Sequence, residues 1–299
     1  MCMMIKERYI DPFTDFGFKW IFGTEENKEL LISFLNDVLE LEYPIVEVEY
    51  RNLEKLGVKI GDRRAVFDIY CTDSNKDQFI VELQRSKQRY FKDRSIYYTS
   101  FPIQAQSQRG DWDYSLKKTY FIGILEFKMD ESSENYITKV QLCDVETKEV
   151  FYNKLTYIYL EMPKFTKSQQ ELSTHLDYWL YTLNNMNTLS KIPPIFKEDK
   201  YINQAFDVAE FLALDEDEQF AYQHDLKTRL DYKNAMDYAK ETAREDGLRE
   251  GRAKGRKEGI EKGEYNKALE IAKNLKASGV NRETIATVTG LSMEEIDIL

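Results

Sequence analysis

The two segments most informative about the fold are Ala65-Val66-Phe67-Asp68-Ile69-Tyr70 and Val81-Glu82-Leu83-Gln84. Both are mainly apolar and each contains one carboxylate, while residues 72–78 between them are polar and rich in turn-forming types. This pattern predicts two adjacent antiparallel strands over residues 64–84. Because residues i and i+2 of a strand point to the same face, Glu82 and Gln84 should project together, and Asp68 can face them across the hairpin.

Carboxylates in such apolar strands indicate a cation site. Buried charges cost free energy unless they are paired or bound to a metal, and Mg²⁺ prefers oxygen ligands with room for several water molecules. A bound cation of this kind polarises a phosphoryl oxygen and activates water, so a phosphodiester is the natural substrate. Asp68 and Glu82 are the predicted ligands, with Gln84 beside them. The alternative is a solvated strand face, where two acids and an amide are common.

Further marks of a known family occur along most of the chain. They are Asp11-Pro12-Phe13-Thr14-Asp15-Phe16-Gly17-Phe18-Lys19-Trp20-Ile21-Phe22-Gly23, Lys164-Phe165, Trp179-Leu180-Tyr181 and a repeated Glu-Gly pattern near the end. Together with Asp68, Glu82 and Gln84, they resemble the PD-(D/E)XK nuclease superfamily. The resemblance is closer to its Rpn branch of recombination-promoting nucleases and transposase-like proteins.

The resemblance implies an α/β fold with a mixed central sheet flanked by helices, followed by a helical C-terminal region. It implies a Mg²⁺-dependent endodeoxyribonuclease of limited sequence specificity, linked to DNA recombination or transposase-like activity. Mn²⁺ or Ca²⁺ can substitute for Mg²⁺ in binding. Asp68, Glu82 and Gln84 would be the catalytic residues, and DNA the partner.

Gln84 stands where the superfamily motif D…(D/E)-x-K has lysine, although E-x-Q is frequent in the Rpn branch. Lysine would position the attacking water and stabilise developing charge, whereas an amide can orient water without adding positive charge. Asp15 is a further candidate metal ligand, because the resemblance includes an acidic residue there. Asp15 and Lys19 are also four residues apart on a predicted helix, so an ion pair between them is the alternative.

A second literal match to the motif is Glu126-Phe127-Lys128, which follows an apolar run. No acidic strand residue lies at hairpin distance before it. We therefore rank it below the first match and expect an exposed strand end.

Charge is distributed unevenly. The formal net charge of −11 argues against indiscriminate coating of nucleic acid, because phosphate contacts dominate that affinity. Residues 85–118 nevertheless carry eight basic and three acidic side chains. We predict that the basic residues directly after Gln84 hold a nucleic-acid backbone; the alternative is an ordinary basic helix face. These residues are Arg85, Lys87, Arg89, Lys92 and Arg94.

Composition indicates a soluble protein. No apolar run in the 299 residues is long enough to cross a bilayer, and the N-terminus lacks the apolar region of a secretory signal. A cytoplasmic location without membrane contact is the expectation. Three cysteines without C-x-x-C spacing indicate neither a disulfide framework nor a zinc site. Two histidines far apart in sequence do not favour a histidine-based centre.

The order of predicted elements is helix, three strands, helix, strand, which is an α/β order. Apolar spacing predicts helices over residues 14–40 and 86–109, the second of which Pro102 should kink or divide. Strands are expected at 47–50, at the predicted hairpin, at 120–125 and at 157–161, while residues 129–153 allow no assignment. We divide the chain into a nuclease-like core at 1–165, a helical subdomain at 166–235 and a C-terminal region at 236–299.

Five glycines recur at every fourth position in the C-terminal region, among arginine, lysine and glutamate. They are Gly247, Gly251, Gly255, Gly259 and Gly263. Each costs a helix about 1 kcal/mol relative to alanine, so an isolated helix should not persist without compensation. The segment could form contacts between copies in a homo-oligomer, contact nucleic acid through its basic residues, or be a charged linker.

Residues 282–296 resemble a helix-turn-helix fragment, with Ser292 and Glu295 spaced as a capping box. A helix that reads the major groove should carry hydrogen-bond donors. This one carries Glu294, Glu295 and Asp297. We therefore interpret it as a short helical hairpin for packing or protein contact.

Two rivals to the nuclease follow from these features. One is a nucleic-acid-binding protein that keeps the fold but is weakly active or inactive because of Gln84. The other is an oligomeric interaction protein that assembles through the glycine repeat.

Overall fold

The computed structural model describes residues 7–51, 67–107 and 110–299. Part of the predicted hairpin, residues 64–66, and the basic residue Arg109 lie outside the described residues. The chain divides into two compact units, the first ending at Arg229 and the second running over Leu230–Leu299. Among the described helices, none is both long and apolar enough to span a bilayer.

A six-stranded mixed sheet forms the centre of the first unit. In chain order its strands are β1 Val48–Tyr50, β2 Ile69–Asp73, β3 Gln78–Gln84, β4 Thr119–Leu125, β5 Ile137–Cys143 and β6 Val150–Glu161. Their order across the sheet is β1-β2-β3-β4-β6-β5. The central strands β3, β4 and β6 are parallel, and the remaining neighbours are antiparallel. The predicted hairpin of β2 and β3 is therefore present.

Helices cover both faces of this sheet. The helices of the first unit are α1 Asp15–Phe22, α2 Lys28–Leu39, α3 Phe91–Ala105, α4 His175–Asn185 and α5 Lys200–Val208. Apolar residues of α1, α2, α4 and α5 share one large core with one face of the sheet. Phe91 of α3 belongs to a smaller core on the opposite face. The predicted α/β fold, with a mixed sheet between helices, is confirmed.

Side-chain alternation along β3 decides what lies on each face. Phe79, Val81 and Leu83 belong to the large core, and Ile80 belongs to the core beneath α3. Because successive strand residues point to opposite faces, Glu82 and Gln84 share the face of Ile80. The two polar side chains therefore point toward the α3 side at the C-terminal end of a central strand.

The N-terminal segment that carries the family resemblance forms a tight turn into α1. Thr14 caps the helix, and its Oγ1 accepts a hydrogen bond from the Gly17 backbone N at 2.9 Å. A Cβ on Gly17 would lie 2.3 Å from the carbonyl oxygen of Asp11, so only glycine fits this position. The motif thus fixes where α1 begins relative to the sheet.

Helix α3 is shorter than predicted and passes through Pro102 undivided. It begins at Phe91, after a loop, and ends at Ala105. Two buried hydroxyl pairs attach it to β6. Ser95 Oγ lies 2.8 Å from Tyr159 Oη, and Thr99 Oγ1 lies 2.7 Å from Tyr157 Oη. These attachments lie one turn apart and fix the rotation of α3 on the sheet.

The unassigned stretch 129–153 contains β5 and the beginning of β6, which pair as an antiparallel hairpin. Most side chains of β5 are exposed or half-buried. A strand whose two faces are both partly exposed to solvent shows no clear alternation of apolar and polar residues, and for this reason β5 could not be assigned from its sequence.

One long helix continues toward the C-terminus and is followed by two short helices. They are α6 Glu216–Ala277, α7 Arg282–Thr289 and α8 Met293–Ile298. The long helix α6 is continuous through all five glycines, although no atom beyond their own local backbone lies within 4 Å of a Cβ built on any of them. The end of α6 packs with α7 and α8 around Ala272, Ile285, Leu291 and Ile296. The predicted capping box of Ser292 and Glu295 is confirmed.

Candidate active site

Two hydrogen bonds join Asp68 to the adjacent residues Glu82 and Leu83 at the end of the hairpin. The Asp68 backbone N donates to Glu82 Oε1 at 3.2 Å, and Asp68 Oδ2 accepts from the Leu83 backbone N at 2.7 Å. The pairing of Ile69 with Val81 places Asp68, which directly precedes β2, opposite Glu82. The expected juxtaposition of the two carboxylates is present, and their role as metal ligands stays a prediction.

Gln84 joins this pair and is held at both ends of its amide. Its Nε2 donates to Glu82 Oε2 at 3.0 Å, and its Oε1 accepts from Arg94 Nη2. Arg94 also donates through Nη1 to Gln88 Oε1 at 2.6 Å. Asp68, Glu82, Gln84 and Arg94 therefore form one connected polar cluster beneath α3.

Glu82 and Gln84 are buried, Asp68 and Arg94 are half-buried, and the cluster contains two neighbouring carboxyl groups. Glu82 is only 3% exposed and Gln84 is 9% exposed. Burial raises the pKa of Glu82, and the negative charge of Asp68 raises it further. Burial also raises the pKa of Asp68, although the Leu83 backbone N–H and the positive charge of Lys19 oppose this shift. A bound cation would relieve the electrostatic cost of this pair.

The donor set fits a magnesium-type cation more closely than a caged metal. Within residues 7–51, 67–107 and 110–299, no group of three or more His, Cys, Asp or Glu side chains could hold a metal ion. Two carboxylates are nevertheless enough for Mg²⁺, which commonly binds one or two of them together with waters and substrate phosphates. A carboxylate has about four acceptor sites, so the hydrogen bonds present leave lone pairs on both residues.

Asp15 stands near this cluster without joining it. Its carboxylate lies 2.8 Å from Lys19 Nζ, and both side chains are about half exposed. The alternative that the sequence left open, an ion pair within the helix, is therefore present. The charge of Asp15 nevertheless acts on Asp68, whose pKa it raises. A role for Asp15 in metal binding stays a prediction.

The five predicted backbone-binding residues have different environments. Arg85 is half-buried beside Asp225 at 3.6 Å, and Lys87 donates to the Met129 carbonyl oxygen at 3.2 Å. Arg89 is exposed and lies over the Tyr90 ring, and Lys92 is exposed on the first turn of α3. Arg94 instead points inward to Gln84, so its surroundings differ from those expected of a phosphate contact.

The second motif match, at Glu126, belongs to a different ionic cluster. Arg229 donates to both carboxylate oxygens of Glu126, through Nη2 to Oε1 at 2.6 Å and through Nη1 to Oε2. The same guanidinium lies 3.2 Å from Asp11 Oδ2. Glu126 thus anchors the end of β4 to α6 and to the N-terminal segment. It is paired, rather than part of an exposed strand end.

Sequence reasoning missed two features of the site. Arg94 was grouped with the basic surface, although its spacing of four residues from Tyr98 places both on one face of α3. Gly123 lies directly beside Glu82 on β4, and a Cβ there would lie 3.3 Å from both Phe121 and Tyr159. A glycine within an apolar strand could have indicated this position from the sequence, because such a glycine often marks a place where a ligand or another part of the protein approaches the backbone closely.

Comparison with known families covers both units of the chain. A family model described as PD-(D/E)XK nuclease family transposase matches residues 12–239. A second model, described as Rpn/YhgA-like nuclease family, C-terminal HTH domain, matches residues 266–299. No curated protein and no solved structure matches the chain significantly. The second match corrects our interpretation of a simple helical hairpin, because the domain also includes the end of α6.

The first model spans far more than half of the 299 residues and contains Asp68, Glu82 and Gln84. The second agrees with the Rpn-type marks in the sequence. The chain therefore belongs to the PD-(D/E)XK nuclease family transposases, in their Rpn/YhgA-like branch.

Proposed function

We propose that the protein is a metal-dependent DNA endonuclease that hydrolyses phosphodiester bonds with limited sequence preference. The observation that carries this proposal is the pair of half-buried Asp68 and buried Glu82, joined to Gln84 at the C-terminal end of a central strand. Membership in a nuclease family supports the reaction class. The family description also links the activity to transposition, and we include recombination in the proposal.

Asp68 and Glu82 are the proposed Mg²⁺ ligands. Their lone pairs, their burial and their mutual repulsion all favour a divalent cation between them. Such a cation would polarise a phosphoryl oxygen and lower the pKa of bound water. Gln84 contributes an amide beside Glu82 that can orient the attacking water or a phosphoryl oxygen. Mn²⁺ or Ca²⁺ is expected to bind at the same ligands.

The start of α3 and the preceding loop are the proposed binding surface for the DNA backbone near the site. Arg89 and Lys92 are exposed there, and Lys87 is exposed close by. Contacts to phosphates fix the position of DNA but carry no sequence information. This chemistry accounts for the limited specificity in the proposal.

The C-terminal domain suggests that the second unit also contacts DNA. On α8, Glu295 accepts a hydrogen bond from Tyr265, and Asp297 lies 3.5 Å from Arg282. These carboxylates would repel phosphates. We therefore assign the DNA contacts of this unit to the exposed basic residues of the glycine-repeat segment. They are Arg249, Arg252, Lys254, Arg256 and Lys257.

A second candidate function is that of a binding or assembly protein with little cleavage. The neutral side chain of Gln84 favours this alternative, because it lacks the positive charge of lysine. No other part of the described structure lies within 4 Å of a Cβ built on any of the five repeat glycines, so another molecule could approach the helix closely there. Removal of residues 240–299 should then abolish assembly; an unchanged oligomeric mass in light scattering would exclude a homo-oligomer built by this segment.

Nicking of supercoiled plasmid separates these functions. Purified protein should convert the plasmid to open circles with Mg²⁺ or Mn²⁺ but not with EDTA. Asp68→Ala and Glu82→Ala should lose this activity, whereas Glu146→Gln, which changes an exposed acid between β5 and β6, should retain it. Failure of the parent protein to cut DNA would favour the second candidate function. Equal cutting by all variants would place the activity elsewhere.

A further inference from the structure

The amide of Gln84 is held in one orientation by two partners of opposite character. Arginine has only donors, so Arg94 must contact the carbonyl oxygen of Gln84. The amide nitrogen then faces Glu82 and donates to its Oε2 at 3.0 Å. Exchanging the amide oxygen and nitrogen would place the donors of the amide against the donors of Arg94. The chemistry of Arg94 therefore fixes the orientation.

Several contacts prevent Arg94 from serving as an ordinary surface arginine. Its guanidinium lies 5.6 Å from the ring centres of both Phe91 and Tyr98. Its second nitrogen donates to Gln88 at 2.6 Å. The neighbouring Ser95 is bonded to the sheet through Tyr159, which fixes the helix turn that carries Arg94. Both terminal nitrogens of the Arg94 guanidinium therefore donate within the protein, Nη2 to Gln84 and Nη1 to Gln88.

This arrangement has a consequence for the group that Gln84 can offer to a substrate. Its oxygen is occupied by Arg94, and one of its two N–H groups is occupied by Glu82. The remaining N–H is a donor, as the ammonium group of lysine would be. The adjacent guanidinium carries a full positive charge and polarises the amide through a charge-assisted hydrogen bond.

We propose that Arg94 is a positioning residue for DNA cleavage, which fixes Gln84 as a hydrogen-bond donor and places beside it the positive charge that lysine would carry at position 84. Gln84 on β3 would then supply the hydrogen-bond donor, and Arg94 on α3 the positive charge, that a single lysine supplies elsewhere. This inference rests on the proposed nuclease function. It also reassigns Arg94, which sequence reasoning had placed among the residues that bind the DNA backbone.

Four proteins test the proposal by single-turnover cleavage of a short duplex. They are the parent, Arg94→Met, Gln84→Lys and the double variant. Methionine keeps the apolar packing on Phe91 and Tyr98 but removes charge and donors. We expect Arg94→Met to lower the cleavage rate on the order of 10²-fold, as for loss of an active-site donor, with little change in DNA affinity.

The double variant is the decisive member of this set. Gln84→Lys alone places two cations face to face and leaves Arg94 without its acceptor, so cleavage should fall. In the Arg94→Met background the same lysine supplies both donor and charge, so cleavage should recover about tenfold over Arg94→Met, within the range of couplings between contacting residues. A double variant no better than Arg94→Met would overturn the proposal.

Arg89→Met is the matched control, because Arg89 is an exposed arginine near the same helix end. Loss of one phosphate contact should weaken DNA binding and reduce the slope of log affinity against log salt by about 0.9, while the cleavage rate at saturating DNA is kept. If Arg94→Met behaves like this control, Arg94 is a backbone contact and the proposal is wrong.

A readout without activity tests the same contact. The side-chain amide of Gln84 can be observed by NMR after selective glutamine labelling, and its signals identified by their loss in Gln84→Lys. In the parent, the two amide protons should differ from free glutamine and exchange slowly; in Arg94→Met they should move toward free values. Unchanged signals would overturn the proposal. A parent protein that cuts no DNA would overturn the proposed function, and these signals would then still decide whether Arg94 holds Gln84.

Discussion

Asp68→Asn should stabilise the metal-free protein while it abolishes the site. The substitution keeps an oxygen that can accept the 2.7 Å hydrogen bond from Leu83, but it removes one of two neighbouring carboxyl groups whose negative charges repel each other. Directly opposed side chains on neighbouring strands lie about 5 Å apart. At an effective dielectric constant of about 20, two charges at that distance repel by roughly 3 kcal/mol. Partial protonation of the pair reduces this cost, so we expect a gain of about 1–3 kcal/mol in the free energy of unfolding.

The sign of the pH dependence follows from the raised pKa values of both carboxyl groups. A group whose pKa is raised by folding destabilises the fold above its unfolded pKa, which is about 4 here. The parent should therefore lose stability as pH rises from about 4 through the folded pKa values of the pair. Asp68→Asn should lose less, so its advantage appears at neutral pH and disappears in acid.

Thermal unfolding in EDTA and in Mg²⁺ measures this difference. For a unit of this size, 1 kcal/mol corresponds to roughly 2–4 °C in Tm. At a metal concentration of about 100 times Kd, binding should stabilise the parent by about 2.7 kcal/mol, and the variant should gain little. Glu146→Gln serves as the control and should keep the parental response. An Asp68→Asn protein that melts below the parent in EDTA at neutral pH would show that the two carboxyl groups do not destabilise the metal-free fold.

Three further predictions concern other parts of the chain. A hydrogen bond to Asp37 raises the pKa of His175, so its stabilisation should be present below about pH 6.5 and be lost as pH rises through the folded value; His175→Gln should flatten this profile in unfolding scans. Burial raises the pKa of Asp177, but Lys167 and backbone donors outweigh it and hold this pKa at about 2. The ionised Asp177 therefore stabilises the fold above about pH 4, and the parent loses this stability as pH falls toward 2. Asp177→Asn should lack this stability at every pH, which chemical denaturation at several pH values measures. Gly251→Ala with Gly255→Ala should raise helix stability by about 1 kcal/mol per site, because their flanks are open; loss of DNA binding or assembly without a gain in helix content by circular dichroism would instead identify a contact surface.

The hairpin and its polar residues were predictable because local rules govern them. Alternation along Val81-Glu82-Leu83-Gln84 places Glu82 and Gln84 on one face, and a short turn sets the register with Asp68. The family motif at the N-terminus was equally local, since Gly17 is required by a close approach to the carbonyl oxygen of Asp11, six residues earlier. These features depend on residues close in sequence, so the sequence alone carries them.

The position of Arg94 was not predictable in the same way. Its contact with Gln84 depends on the rotation of α3, which the buried hydroxyl pairs of Ser95 and Thr99 fix against distant tyrosines. A basic residue in a basic stretch resembles any solvated helix face until that packing is known. The pairing of Glu126 with Arg229, which are far apart in sequence, was hidden for the same reason.

The C-terminal region was misjudged on energetic grounds. Helix propensity penalises five glycines, yet α6 is continuous from Glu216 to Ala277. Propensity is a weak guide where the flanking residues are good helix formers and the helix is long. The three-helix domain was missed for two reasons. The carboxylates of α8 argued against a DNA-reading helix, and the first helix of the domain is the end of the long helix α6.

The most direct test of the Asp68–Glu82 site is a titration of the metal-free protein, bound to a short DNA duplex, with Mg²⁺, in which bound metal and cut DNA are followed together. We predict that both rise with one midpoint in the parent, and that Asp68→Ala and Glu82→Ala, folded equally well, show neither at that concentration. Metal binding and cleavage that persist unchanged in both variants would contradict the assignment.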